Sequence, residues 1–425
     1  MPDRTQPQSW WLPHPVRFRV RAQRALILAA ISTLAATRPA TAHEFERVVI
    51  DADFPGAYQV EVADVDGDGR PDVVAVGGGT CAWYENPSWK KRVVSTSEQT
   101  PGIISSATAD LDGDGKAEVA IAYEFAMNEP KKGKLLLAIQ GKGRDDPWKL
   151  NPVADVGSIH RLRWGNVIGT PRVLPGAVVL DKKLELVVAP IFGPSARPPV
   201  FDQEPAHLLV FDTGSNPLSG RWSPTTIGHA PVLHAIDLLD VDGHHAVLGA
   251  SNLGVTSFRM AAVAGAPLFS PRQLAPGVPG DAPKKGASEV HVGRLKDGRR
   301  FLATVEPWHG TDVAVYLSES LEPLEFGPRT VIDSTLKEGH ALWVADVDRD
   351  GDDEIFAGYR GPGTSVLMFD HNGKTWDRTV VDPAIAAQDL RGGDLDGDGT
   401  PDVVAVGGKS HNVVLYKFRR SPSPR

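Results

Sequence analysis

Four times along the chain an acidic loop recurs with the same internal spacing: ADVDGDGRPD (63–72), ADLDGDGKAE (109–118), ADVDRDGDDE (345–354) and GDLDGDGTPD (393–402), with a shortened copy LLDVDGHHA at 238–246. Behind each full loop stands a short apolar run (VVAVGG, VAIAYE, IFAGYR, VVAVGG), then a second such as SVLMFDHNG or NVVLYKF. A third follows with a repeated look, as in WKKRVVS, WKLNPVADV, WSPTTIG, EFGPRTVID and WDRTVVD. With the strand that precedes the loop, each unit supplies four short strands in roughly 50 residues, the length of a propeller blade. A unit of that size cannot bury both faces of its own sheet, so neighbours must stack around an axis.

Aligning the units on the residue six before the first loop position gives Tyr58, Ile104, His160, His234, Ser288, His340 and Gln388, at spacings of 46, 56, 74, 54, 52 and 48. Units three, four and five have degenerate loops (GNVIGTPR, DVDGHH, GRLKDGRR), and unit seven ends after its third strand, HNVVLYKF. EFERVVIDADF, just after residue 43, supplies the missing strand. The sequence therefore predicts an all-β fold: a single seven-bladed β-propeller of four-stranded blades over 43–420, its last blade closed by the N-terminal strand, with no open sheet edge at the join.

In each loop, side-chain oxygens at positions 1, 3, 5 and 9 can converge on one ion, with glycine permitting the tight turn. The candidate ligands are Asp64, Asp66, Asp68 and Asp72; Asp110, Asp112, Asp114 and Glu118; Asp346, Asp348, Asp350 and Glu354; and Asp394, Asp396, Asp398 and Asp402. Six to eight oxygens suit Ca²⁺ better than the stricter octahedron of Mg²⁺. An EF-hand is excluded, because that loop needs a Glu at position 12 and flanking helices. The alternative without metal is a set of Asx-type turns. These repeats resemble the FG-GAP repeats of integrin α-subunit propellers and related bacterial proteins, which implies structural Ca²⁺ in the loop between the first and second strands of a blade. Asn166 and Arg294 stand where units three and five would need the first Asp, so those loops are expected to hold no ion.

The aligned position is the start of the strand that lines the central channel, so His160, His234 and His340 are expected to converge at one mouth. The loops between second and third strands open on the same face and bring Tyr123, Glu124, Glu306, His309, Arg360, Lys409 and His411 there; Arg161, Arg163, Glu289 and His291 follow the aligned positions. A lone histidine at a strand start is a packing residue. Three at one ring position point to metal ligation or general-base chemistry.

SIHRLRW, LELVVAPI, PVLHAIDLL, TVEPWHGTDVAVYL and GHALWVADVDRDGDDE, in that order, resemble the propeller part of fungal aldos-2-ulose dehydratase over most of 100–360. The resemblance implies a dehydration site at the propeller with a metal ion and histidine chemistry, to which His160, His234, His309 and His340 correspond. The cupin domains that follow the propeller in that family have no counterpart in this sequence, so the linked isomerase step is not expected. The reaction implied is β-elimination of water from a keto-sugar of the aldos-2-ulose or anhydrofructose type. His160 is the expected base, with Zn²⁺ or another divalent metal at the mouth. Arg161, Arg163, Glu289, His291, Glu306 and Arg360 are the substrate-binding candidates. The competing reading is a non-catalytic, calcium-stabilised propeller that binds carbohydrate or a protein partner on aromatic shelves, for which Trp83, Trp164, Trp308 and Trp343 are the candidates.

Composition narrows the setting. Residues 1–42 read as a cleaved signal peptide, with a basic VRFRVRAQR, an apolar ALILAAISTLAA and the small-residue site Ala40-Thr41-Ala42. The apolar run is too short to span a bilayer. Periplasmic or secreted location follows as the expectation. That segment carries a net charge of +5, so its removal takes the chain from −8 to −13. Such an acidic protein is a poor partner for nucleic acid. The single cysteine, Cys81, excludes an intrachain disulfide and reads as a packed thiol. Residues 421–425 read as a disordered tail.

Overall fold

The computed structural model describes residues 44–419 apart from 175, 176, 182, 242, 264, 265, 322 and 323; the expected signal peptide and tail lie outside the described residues. Strands account for nearly all the regular structure, with one short 3-10 turn at Pro217–Ser219. Seven antiparallel sheets follow one another along the chain, each with its innermost strand first: Ala57–Ala63, Ser105–Ala109, Ile159–Gly165, Ala235–Val241, Glu289–Arg294, Gly339–Ala345 and Ala387–Gly393. Each innermost strand packs beside its equivalents in the two neighbouring blades, and the first lies beside the last, which closes the ring.

The second strands show why the fold is legible as apolar runs rather than alternation. Asp72–Gly77, Glu185–Pro190 and Asp402–Gly407 are buried at every residue, since each is covered on both faces by adjoining blades. The hydrophobic core is accordingly divided into seven interfaces, each drawing side chains from two consecutive blades. The interface between blades 7 and 1 joins Val404, Val406, Val413 and Leu415 to Phe54, Val60, Val73 and Ala75. Outermost strands such as Lys90–Ser95 are exposed and charged at the start, which blunts an edge that would otherwise pair with another chain.

Blade 7 is completed as expected. Glu44–Asp51 pairs antiparallel with Asn412–Arg419, from Glu44 opposite Arg419 to Asp51 opposite Val413. Phe45 packs edge-on against Phe356 and Phe418, at centroid distances of 6.2 and 5.7 Å. Two irregularities were not legible in the repeat. The degenerate loop of blade 3 carries a hairpin, Thr170–Leu174 with Ala177–Asp181. The outer strand of blade 5 is broken into Leu324–Phe326 and Thr330–Asp333.

If the N-terminal strand is the clasp of the ring, Phe45→Ala should lower the unfolding free energy by about 2 kcal/mol, below the fully buried range because Phe45 is only partly buried. Removal of residues 44–51 should expose the 412–419 edge and produce aggregation. Urea unfolding and light scattering check the two outcomes.

Candidate metal and catalytic site at the channel mouth

Innermost strands have one edge with no strand partner, and side chains from the preceding blade satisfy it. Asp389 Oδ2 accepts the Val60 amide at 3.2 Å, Gln59 Oε1 accepts the Ser106 amide at 2.8 Å, and Ser105 Oγ accepts the Leu162 amide at 3.2 Å. Each donor–acceptor pair links position i+1 of one blade to position i+2 of the next, where i is the aligned ring position. The histidines obey the same rule at position i. His160 Nδ1 donates to the His234 carbonyl at 2.7 Å, His234 Nδ1 to the Ser288 carbonyl at 3.0 Å, and His340 Nδ1 to the Gln388 carbonyl at 2.7 Å. A carbonyl only accepts, so in all three rings Nδ1 carries the proton and Nε2 keeps its lone pair.

Backbone geometry aims these rings. Pairing with the second strand slips at Tyr58, His160, His340 and Gln388, each of which is the extra residue of a β-bulge. Such bulges re-aim a side chain. Two residues before the ring position, the chain is left-handed in six blades. Glycine takes that conformation at Gly56, Gly102 and Gly286, but the three histidine blades use Ser158 (φ 52°), Val232 (φ 51°) and Glu338 (φ 59°). Non-glycine residues in this region cost of order 1–3 kcal/mol and cluster at functional sites. Their side chains have work to do: Ser158 Oγ donates to the Pro130 carbonyl, Val232 packs with Phe192 and Phe201, and Glu338 faces Arg360.

The result is a cluster of imidazoles. Ligand nitrogens of His234, His309 and His340 lie within 4.8 Å of one another. His234 Nε2 is buried with no hydrogen-bond partner. His234 and His340 each hold Nδ1 on a carbonyl and present Nε2, and His309, whose ring lies against Arg360, supplies the third nitrogen of a donor set suited to Zn²⁺ or a similar divalent ion. Burial pushes His160, His234 and His340 well below the usual histidine range, and burial together with His234 and Arg360 takes His309 down to about 2. Neutral rings are what metal ligation needs.

Tyr58 is a member of the site that the sequence did not single out. Its hydroxyl lies 2.9 Å from His160 Nε2 and 3.4 Å from His340 Nε2. With Nε2 of His160 unprotonated, the phenol is the donor. The expected base therefore meets the Tyr58 hydroxyl at its free nitrogen. Burial raises the Tyr58 pKa, against the opposing pull of Arg161 and Arg360. An aromatic wall borders the cluster: Phe192 and Phe201 stack at 4.4 Å, Trp308 meets both edge-on, and Phe125 tilts against His160 at 5.9 Å. A cleft of about 500 Å³ between blades 2 and 3 shares Phe192 with this wall but none of the clustered histidines.

The other candidates divide. Arg161 is buried and pairs with Glu289 at 3.5 Å, and Glu289 Oε1 lies 3.0 Å from His234 Nδ1, so both adjoin the cluster. Arg163 pairs with Glu61 at 3.2 Å and His291 with Asp237 at 3.3 Å, two positions further along their strands. Arg360 reaches His309 at 3.3 Å. Glu306 does not face the mouth as expected: its carboxylate accepts from Thr304, Tyr316 and Arg329 and is buried within blade 5. Of the proposed shelves, Trp83 is fully buried between blades 1 and 2, Trp164 donates to the Ala107 carbonyl, and Trp343 packs on Phe356; Trp308 alone of the four joins the mouth.

On the opposite face the four complete loops gather carboxylates as the spacing implied. Oxygens at positions 1, 3 and 9 lie within 4.8 Å in Asp64/Asp66/Asp72, Asp110/Asp112/Glu118, Asp346/Asp348/Glu354 and Asp394/Asp396/Asp402. The position-5 residues Asp68, Asp114, Asp350 and Asp398 instead accept the amide two residues on, at 2.7–2.9 Å. Asp346 Oδ1 and Glu354 Oε1 are buried without a hydrogen-bond partner, while Asp66 Oδ2 has Arg144 at 3.1 Å. Hard, crowded and partly orphaned oxygens fit a divalent cation. In blade 3, Asn166 Nδ2 donates to the Gly243 carbonyl, and in blade 5 the Arg294 amide donates to Asp353.

The family model for FG-GAP-like repeats matches residues 48–121 and 346–405, so the chain carries FG-GAP-like repeats at both ends of its propeller. No curated protein matches the chain. Among solved structures, the extracellular domain assigned to a one-component system of B. thetaiotaomicron is similar at 8% identity and a TM-score of 0.47, covering 89% of this chain and 40% of that one. A 6-phosphogluconolactonase-like protein from Bacteroides fragilis NCTC 9343 is similar at 13% identity and a TM-score of 0.48, covering 87% of this chain and 92% of that one.

The tautomers are directly measurable. At pH 6 the ring ¹⁵N shifts of His160, His234 and His340 should report neutral imidazoles protonated at Nδ1. Imidazolium signals at that pH would contradict the geometry.

Proposed function

We propose that this propeller is an exported carbon–oxygen lyase that removes water from a small polyhydroxylated carbonyl compound of the keto-sugar class. The observation that carries the reading is the convergence of the His234, His309 and His340 nitrogens within 4.8 Å in a buried mouth, with the Tyr58–His160 pair alongside. A divalent metal held there by the three imidazoles would supply Lewis-acid polarisation of the substrate carbonyl. As the Tyr58 oxygen takes the proton from the carbon next to the carbonyl, it passes its own proton to His160 Nε2 in the same step, so phenolate character develops only in passing. The C–O bond to the β-hydroxyl breaks, its oxygen takes back the proton held by the Tyr58–His160 pair, and water leaves as the C=C bond forms. Arg161, whose guanidinium carbon is 5.8 Å from the centre of the Tyr58 ring, favours the phenolate. The shelves that a carbohydrate-binding platform would need are mostly spent on packing, which weighs against that alternative.

The acidic loops are proposed as structural Ca²⁺ sites of the opposite face, holding the first and second strands of blades 1, 2, 6 and 7 at a fixed angle. They contribute rigidity and no chemistry.

Two outcomes test these assignments. Incubated with 2-keto sugars, the protein should generate an enone absorbance that a chelator abolishes. Tyr58→Phe should lower kcat by about 10²–10⁴-fold with the metal retained. Full lyase activity in that variant, or in alanine variants at the four histidines, would sink the mechanism.

For the loops, burial raises Asp72, Glu118 and Asp402 to about 7 and Glu354 to about 10 when no cation is present. Their folded values lie above the unfolded ones, about 4. Stability tied to the neutral carboxyls is therefore fully present below about pH 4 and is lost as pH rises through about 7, and for Glu354 through about 10. Chelator-treated protein should thus show its largest deficit in melting temperature, relative to Ca²⁺-loaded protein, at pH 8 and little at pH 4.5. A site filled to one hundred times its Kd adds about 2.7 kcal/mol. Calorimetry with and without Ca²⁺ at each pH cancels the opposing histidine titration.

A further inference from the structure

The corner of the mouth where blades 5, 6 and 7 meet is built differently from the rest, and the elimination chemistry above does not use it. Arg360 enters from the loop after the second strand of blade 6. Its NH1 donates to Gln388 Oε1 at 3.0 Å and its Nε faces Glu338 Oε2 at 3.3 Å. NH2 lies 3.3 and 3.4 Å from the two ring nitrogens of His309, so it rests against the ring and is aimed at no carboxylate. Lys409 Nζ, from the blade 7 loop, is 3.7 Å from the same Glu338 oxygen. Two cations thus share one half-exposed carboxylate.

Backbone strain marks the same place. His309 (φ 50°), Glu338 (φ 59°) and His411 (φ 56°) all hold the left-handed conformation without being glycine, one in each of the chain segments that form the corner. Strain of this kind concentrates at ligand clamps. A guanidinium fixed on two sides with its third nitrogen turned towards a candidate metal ligand, and a second cation nearby, is complementary to a planar anion.

We propose that this corner is an anion subsite that receives a substrate carboxylate, so that the substrate is a small sugar acid. This rests on the lyase reading above and puts a sugar acid in the place of its keto-sugar. Its carboxylate sits on Arg360 and Lys409, and its neighbouring oxygen points towards His234, His309 and His340. Neutralising the carboxylate acidifies the adjacent C–H. That proton passes to the Tyr58–His160 pair, and the electron pair of the C–H bond forms the C=C bond. The β C–O bond breaks with its pair on oxygen, which takes back the proton from the Tyr58–His160 pair and leaves as water. The enol left behind tautomerises to a 2-keto-3-deoxy acid, and no oxidant or reductant is consumed.

The test compares turnover of D-gluconate and D-galacturonate with that of a neutral 2-keto sugar and glucose 6-phosphate, after the metal content of the same protein has been measured. Products are read by mass spectrometry as the loss of one water from each substrate. The sugar acids should be preferred at least tenfold in kcat/KM. Arg360→Gln should lower kcat/KM for the acids by about 100-fold, the size of a lost charged hydrogen bond, chiefly through KM, and erase the preference. Arg360→Lys should recover part of it, with melting temperature and metal content unchanged in both variants. With metal present, preference for the neutral sugar or the phosphate ester overturns the carboxylate subsite and leaves the lyase reading standing. So does an equal loss on acid and neutral substrates in Arg360→Gln. Absence of both mouth metal and turnover overturns the two together.

Discussion

The inner edge of each blade is the constraint on which this structure depends. A strand at the channel has its second-strand partner on one side and only neighbouring blades on the other, so its amides and carbonyls must be satisfied by side chains reaching around the ring. Asp389, Gln59 and Ser105 do this for Val60, Ser106 and Leu162. Buried backbone groups left unpaired cost about as much as the hydrogen bonds they lack. Because each strap runs from one blade to the next, ring closure and edge satisfaction are one requirement, met between blades 7 and 1 by Asp389 and Val60, while the N-terminal strand covers the outer edge of blade 7.

The histidines grow out of that requirement. His160, His234 and His340 use Nδ1 as a strap to the next blade, as a packing residue would. A ring has a second nitrogen, and at His160 and His340 a bulge re-aims the ring that carries it. Structural duty and chemical potential therefore sit on the same side chain: the carbonyl that accepts from Nδ1 fixes the tautomer that leaves Nε2 able to bind a cation. The left-handed Ser158, Val232 and Glu338 show that these three blades depart from the glycine solution used at Gly56, Gly102 and Gly286.

Much of this was legible in the residues. The loop spacing gave blade number, register and the closing strand, because a four-stranded unit that must stack leaves a strong periodic trace. It also placed His160, His234 and His340 on one ring, since equivalent points of a propeller converge. At the site, three things were not readable. The bulges that aim the rings depend on pairing with the second strand, which no local pattern encodes. Tyr58 occupied the same aligned position, but its partner, His160, is 102 residues away, and only the closed ring brings them together. Glu306 was misplaced because it ends a strand next to a mouth loop, and the strand alternation sends its carboxylate to Tyr316 and Arg329.

The central claim is that three imidazoles from three blades form one metal site on a propeller whose acidic loops lie on the other face. Metal analysis by inductively coupled plasma mass spectrometry tests it most directly. Protein loaded with Zn²⁺ or Mn²⁺ and desalted should be compared with His234→Ala/His340→Ala prepared identically. The account predicts one transition-metal equivalent per chain in the wild type, lost in the variant, with calcium content unchanged. A wild type that retains no transition metal, or a variant that retains it, would contradict the account.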